Sequence, residues 1–141
     1  MALWRLYYHI VWGTKNRLPL ITEDIESQLH EYMAVKSEEL KTIVHAINGT
    51  HNHVHLIVSI PPVLSISDFV KKIKGSSSHF VNHQLNNYNQ IFGWQAGYGV
   101  FSFGSKQLDD AVNYVKRQKK HHTAGTIIHS LENIDDEHLS P

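Results

Sequence analysis

The sequence predicts an α+β domain: a ferredoxin-like (split βαβ) antiparallel sheet with an extra C-terminal helix. Three observations carry that expectation. Apolar residues alternate between period two and helical spacing in the order βαββαβ, followed by one more helix. Asn48-Gly49 is a short turn signal that would fold the second strand back on the third as a hairpin. Asn52-His53-Val54-His55-Leu56-Ile57-Val58 reads as a central strand, with Val54, Leu56 and Val58 on one face.

Residues 5–14 (Arg-Leu-Tyr-Tyr-His-Ile-Val-Trp-Gly-Thr) are rich in aromatic and β-branched side chains and form the first strand. A polar connector, 15–20, ends near Pro19. Thr22 with Glu23 and Asp24 starts a helix, because acids suit the positive first turn. That helix runs to about Leu40, with Ile25, Leu29, Tyr32, Met33 and Val35 or Lys36 inward. Residues 42–47 make the second strand, and 53–60 the third, stopped by Pro61-Pro62. Ser65 or Ser67 caps the second helix, whose Ile66, Phe69, Val70, Ile73, Phe80, Val81 and Leu85 recur at helical spacing. Its Gly75 and serines 76–78 suit either a small-residue packing contact or close approach of a phosphate. A loop around Trp94 leads to the fourth strand at 98–103, and a third helix spans about Gln107 to His121. In this topology the first and third strands lie side by side at the sheet centre. Two helices cover one face, and the other is open to a ligand, a partner or the third helix.

Composition bounds the function. The 141 residues fit one domain, with a core over about 4–122 and a tail over 123–141. With 41% apolar and 18% charged residues the chain is of globular type. No apolar run reaches the roughly 18–20 residues of a membrane span, and no signal-peptide layout opens the chain, so a cytoplasmic location is the expectation. Without cysteine there is neither a disulfide framework nor a thiolate zinc site. Zero formal charge argues against a polyanion binder held by bulk charge. Local basic clusters remain at Lys71, Lys72 and Lys74, and at Lys116, Arg117, Lys119 and Lys120. Twelve histidines make the charge sensitive to pH between about 5 and 7.

His53 and His55 share the strand face opposite Val54 and Leu56, roughly 7 Å apart at about 3.3 Å per residue. Two imidazoles so spaced can converge on one ion, or can be polar residues on a solvated face. On the third helix, Leu108, Ala111, Val112 and Val115 form an apolar stripe, and Tyr114, Gln118 and His121 line one edge of it. Beside two histidines, Gln118 offers a neutral oxygen ligand and Tyr114 an oxygen nucleophile. Taken alone, the same residues also fit a tyrosine at a packing boundary and a surface glutamine.

Thr50-His51-Asn52-His53-Val54-His55-Leu56-Ile57-Val58 resembles the His-hydrophobic-His (HUH) motif of the single-tyrosine transposases of small hairpin-ended insertion sequences. Residues 6–17 are similar to that family's opening strand, 98–102 to its closing strand, and 111–122 to its catalytic helix. Together these cover roughly residues 4–122, in the family's order. REP-associated tyrosine transposases are close relatives of this group.

The resemblance implies an enzyme that cuts and rejoins single-stranded DNA next to hairpins. Tyr114 would be the nucleophile, leaving a 5′-phosphotyrosine and a 3′-hydroxyl. His53, His55 and Gln118 would hold Mg²⁺ or Mn²⁺, although two imidazoles also suit Zn²⁺ or Ni²⁺. A homodimer with joined sheets is implied as well. Arg5, Lys15, Arg17, Lys71, Lys72 and Lys74 are candidate DNA contacts, and Trp12 or Trp94 could stack a base or sit in the core. His51 stands where a relative often has an acid. The rival reading is a non-catalytic ferredoxin-like module that binds nucleic acid on the open sheet face; another variant is a domesticated relative that processes palindromic repeats. The face of the first strand that accompanies the histidines discriminates. Tyr7 and His9 there would crowd a metal site, whereas Tyr8 and Ile10 would suit RNA poorly.

Overall fold

A computed structural model describes residues 3–85 and 91–118. Its elements are β1 (Tyr7–Gly13), α1 (Glu23–Glu39), β2 (Ile43–Thr50), β3 (His53–Ser59), α2 (Ile66–Gln84), β4 (Gly99–Phe103) and α3 (Leu108–Lys116). The strands form one antiparallel sheet in the order β2-β3-β1-β4, with β1 and β3 at its centre. This is the expected split-βαβ arrangement.

Strand β3 has every residue buried, which its composition explains. Val54, Leu56 and Val58 meet Ile10 and Trp12 of β1 on one face and join Ile25, Leu29 and Met33 of α1 with Phe69, Val70, Ile73 and Val81 of α2. Each such side chain contributes about 1.5–3 kcal/mol when fully buried, so the phase of the strand is strongly set. The other face is covered in part by α3, where Val115, Leu108, Ala111 and Val112 pack on Ala46 and Ile57. Ser65 caps α2 by accepting a hydrogen bond from the Asp68 N–H at 3.1 Å.

The structure corrects several details. The hairpin does not turn at Asn48-Gly49: β2 continues through both, Thr50 pairs with His53, and His51-Asn52 form the turn. Gly49 is needed for close approach instead, since a Cβ there would lie 2.2 Å from the His53 carbonyl oxygen and 2.9 Å from Val54 Cα. The three added rungs include Asn48 opposite His55. Val35, expected inward on α1, is exposed. Helix α3 has a turn at Arg117, whose N–H reaches the Asn113 and Tyr114 carbonyls, and Gln118 is helical again; the expected run to His121 lies outside the described residues. Lys119, Lys120, His121, His122 and the 123–141 tail lie outside the described residues. Among the described residues no helix is long and apolar enough to cross a membrane.

One serine of the run in α2, Ser77, packs against the rest of the fold. Ser77 is buried, donates to the Ile73 carbonyl at 2.6 Å and accepts from Trp94 Nε1 at 2.9 Å. Trp12 is wholly buried and meets Trp94 edge-on, with ring centroids 5.8 Å apart. Gly75 faces open space, with nothing within 4 Å of an added Cβ.

These two glycines generate opposite expectations. Gly49→Ala should destabilise the domain by about 1–3 kcal/mol, because backbone must move to admit the methyl group. Gly75→Ala should stabilise it by about 0.5–1 kcal/mol, as expected in an exposed helix interior. Urea unfolding of both variants checks the pair; equal effects would contradict this placement of Gly49.

Candidate functional site

The β1–β3 register decides which side chains share a face. Val11 pairs with His55 and His9 with Ile57, so His9 and Tyr7 lie on the histidine face, while Tyr8, Ile10 and Trp12 lie beneath. Of the two arrangements open from the sequence, the structure has the first. His9 lies directly against the site. Its Nε2 lies 2.7 Å from Nδ1 of His55, against one side of that ring. Both rings are buried, 4% and 0% exposed.

His53, also buried, has a different neighbour on its Nδ1. That nitrogen is 2.8 Å from Asn52 Oδ1 and 3.0 Å from Thr50 Oγ1. The Thr50 hydroxyl lies 3.2 Å from the same Asn52 oxygen. A carbonyl oxygen only accepts, so His53 Nδ1 is the donor to Asn52 Oδ1. The exposed His51 gives its carbonyl to the Ile21 N–H at 2.9 Å, and Asn52 is the residue beside His53. Asn52 and Thr50 were not singled out as site residues in the sequence. Only the true turn position brings them back onto the histidine.

Helix α3 brings the remaining residues. The Tyr114 ring sits edge-on to His9 and His55, with centroids 6.2 and 6.3 Å away. The rings of His53 and His55 are 5.0 Å apart. Gln118, one residue beyond the turn at Arg117, is completely buried. Asn48 Nδ2 donates to the Lys116 carbonyl at 3.0 Å, tying the end of α3 to β2 opposite His55. Thus the described chain gathers His53, His55 and Tyr114 on one sheet face, with His9 among them. Among the described residues no three His, Cys, Asp or Glu side chains are arranged for a metal ion. His53 and His55, with the amide of Gln118, are the sequence-predicted donors that the described residues contain.

A second feature adjoins β1. An open cleft of about 600 Å³ is lined by Lys15, Asn16, Arg17, Gly93, Trp94, Gln95 and Ala96. Gly13, at the end of β1, pairs with His53, so the cleft begins beside that histidine. Asn16 and Arg17 both adopt left-handed backbone, each with φ of 56°, a costly conformation that tends to mark functional turns. Lys74 holds the far wall, donating to the Gln95 and Gly97 carbonyls at 2.6 and 2.8 Å. Burial holds its ammonium below the usual lysine range. Lys74 is thus engaged with the protein's own carbonyls, while Arg5, Lys15, Lys71 and Lys72 are exposed and Arg17 is half-buried.

The structure is thus an α+β fold with two histidines on a central strand of an antiparallel sheet and Tyr114 of α3 beside them. The sequence comparison names the family: residues 2–118 match the IS200-like transposases, and the chain belongs to that family. It is 25% identical over 122 residues to the ISDra2 transposase TnpA of Deinococcus radiodurans, covering 82% of this chain and 86% of that protein. It is 26% identical over 119 residues to the IS200 transposase of Salmonella typhimurium, covering 82% and 78%. The fold is similar to that of a Deinococcus radiodurans R1 chain solved as a candidate transposase, with a TM-score of 0.65, 22% identity and coverage of 83% and 93%. It is also similar to a REP-associated tyrosine transposase bound to a REP hairpin, with a TM-score of 0.61, 15% identity and coverage of 90% and 76%.

One histidine away from the central pair yields a stability test. His45 sits in the β2 bulge, its Nε2 2.8 Å from Ser59 Oγ and its ring 5.7 Å from that of Tyr7. Burial pushes its pKa below the ordinary 6.5. A depressed folded value favours the neutral ring, so its contribution is complete above the unfolded pKa and is lost as the pH falls through the folded one. The melting temperature should fall between about pH 7 and pH 5, and His45→Leu should reduce the slope of that fall. An unchanged slope would exclude His45 as a source of acid lability.

Proposed function

We propose that this transposase cleaves and rejoins single-stranded DNA near hairpins, with Tyr114 as nucleophile. Supporting this reading is the Tyr114 ring beside His9 and His55, reached without any rearrangement of α3. Its oxygen would attack the scissile phosphorus while the bond to the 3′ oxygen breaks. The product is a 5′-phosphotyrosine and a free 3′-hydroxyl, the tyrosine giving up its proton and the leaving oxygen acquiring one. Attack by another 3′-hydroxyl reverses the step and rejoins strands without an external energy source.

The donor chemistry fits a divalent cation. His53 has its Nδ1 turned to Asn52 and Thr50, and His55 has its Nδ1 turned to His9, so Nε2 would be the ligand atom in both. His53, His55 and Gln118 would hold Mg²⁺ or Mn²⁺. When bound, the ion supplies Lewis-acid polarisation of the phosphate and balances transition-state charge. The fixed rings orient the phosphate, and the α3 packing limits the positions of the tyrosine. Lys15 and Arg17, beside the cleft near His53, are candidate strand contacts, together with Arg5, Lys71 and Lys72. A homodimer is part of the proposal, as is hairpin recognition of the kind its REP-associated structural neighbour displays.

The test uses labelled single-stranded DNA from the flanks of the protein's own gene, with Mg²⁺ or Mn²⁺, on a denaturing gel. Wild type should give a covalent protein–DNA adduct. Tyr114→Phe should lose the adduct and cleavage by at least about 10³-fold while binding DNA nearly as before, one hydroxyl having been removed. His55→Ala and chelation with EDTA should each abolish cleavage. Full cleavage by Tyr114→Phe would refute the nucleophile. Hairpin binding without any adduct would favour the non-catalytic nucleic-acid-binding module, and adducts confined to palindromic repeats a domesticated relative.

A further inference from the structure

We propose that His9 is a positioning residue that locks His55 in the tautomer needed to bind a metal ion. This rests on the divalent-ion reading of the site. A neutral imidazole carries one proton on two nitrogens, and only the unprotonated nitrogen can coordinate a cation. With Nδ1 of His55 facing His9 at 2.7 Å, one of those two nitrogens donates and the other accepts. If His9 accepts through Nε2, the His55 proton is fixed on Nδ1 and its lone pair on Nε2. His53 is held in the same state by Asn52 Oδ1, so both rings then present like nitrogens.

The surroundings favour this role. His9 is held in β1 by pairing with Ile57 on one side and Phe101 on the other. Its ring lies 6.1 Å from the Phe101 ring and 6.2 Å from that of Tyr114, so packing restricts its rotation. Burial strengthens a hydrogen bond that water would otherwise compete for. His9 therefore braces the back of a ligand and the side of the nucleophile's ring from one strand position. Loss of such a supporting partner typically costs a metal site about 10–100-fold in affinity.

The test is ring-nitrogen NMR on full-length, histidine-¹⁵N-labelled, metal-free protein, followed by Mn²⁺ titration observed by electron paramagnetic resonance. Wild-type His55 should show a protonated Nδ1 and an unprotonated Nε2. His9→Leu removes the acceptor and should move His55 towards the Nε2–H form, leaving His53 unchanged, with Mn²⁺ affinity falling about 10–100-fold. His9→Gln offers Oε1 in place of Nε2 and should restore both readouts, which mere loss of packing would not explain. An Nε2–H tautomer at His55 in wild type would overturn the proposal without any variant. Equal Mn²⁺ affinity in all three proteins would overturn it while leaving the metal reading intact. Absence of Mn²⁺ binding in wild type would instead overturn the metal reading, and this proposal with it.

Discussion

The structure depends on the phase of β3. That strand is buried on both faces, so its alternation serves two separate layers at once. Val54, Leu56 and Val58 are held against α1 and α2 by the apolar surface they remove from water. His53 and His55 are thereby confined to the other face, beneath α3. A slip of one residue would put imidazoles into the hydrocarbon layer and valines under Tyr114. The position of the polar site is thus enforced by apolar packing on the side it does not occupy.

Burying two histidines has a cost that their neighbours offset. A buried polar ring needs partners, and these come from different parts of the fold. Asn52, from the hairpin turn, and Thr50, from the end of β2, serve His53; His9, from the adjoining strand, serves His55. The extension of β2 to Thr50 makes this possible, because it moves the turn to residues next to the first histidine. The same extension lets Asn48 hold the end of α3. Orientation of the histidines and placement of the tyrosine helix are consequently linked through one hairpin.

The second cluster of interactions shapes the cleft beside His53. Trp94 is fixed by Ser77 and by edge contacts with Trp12 and Phe92, while Lys74 holds the Gln95–Gly97 backbone. Lysine is uncommon in such a place, and its lowered pKa reflects the desolvation involved. Its use there makes the segment a firm wall opposite the strained Asn16–Arg17 turn. The cleft between them carries the cationic side chains of Lys15 and Arg17.

The sequence by itself determined the order of elements, the split-βαβ topology, the inward valines of β3 and the apolar stripe of α3, because these follow from periodicity and the order of segments. It also carried the His53–His55 pair and Tyr114, through local motifs in the family's order. What it left open depended on how segments meet. Both faces of β1 are apolar enough that the position of His9 was ambiguous until pairing with β3 set its phase. The Asn48-Gly49 signal was misleading because a glycine required for close approach across a strand pair looks the same as one required for a turn. Only the tertiary structure could assign Lys74 to backbone carbonyls, Trp12 to the core and His9 to the back of His55, since each contact joins residues at least twenty positions apart or depends on register.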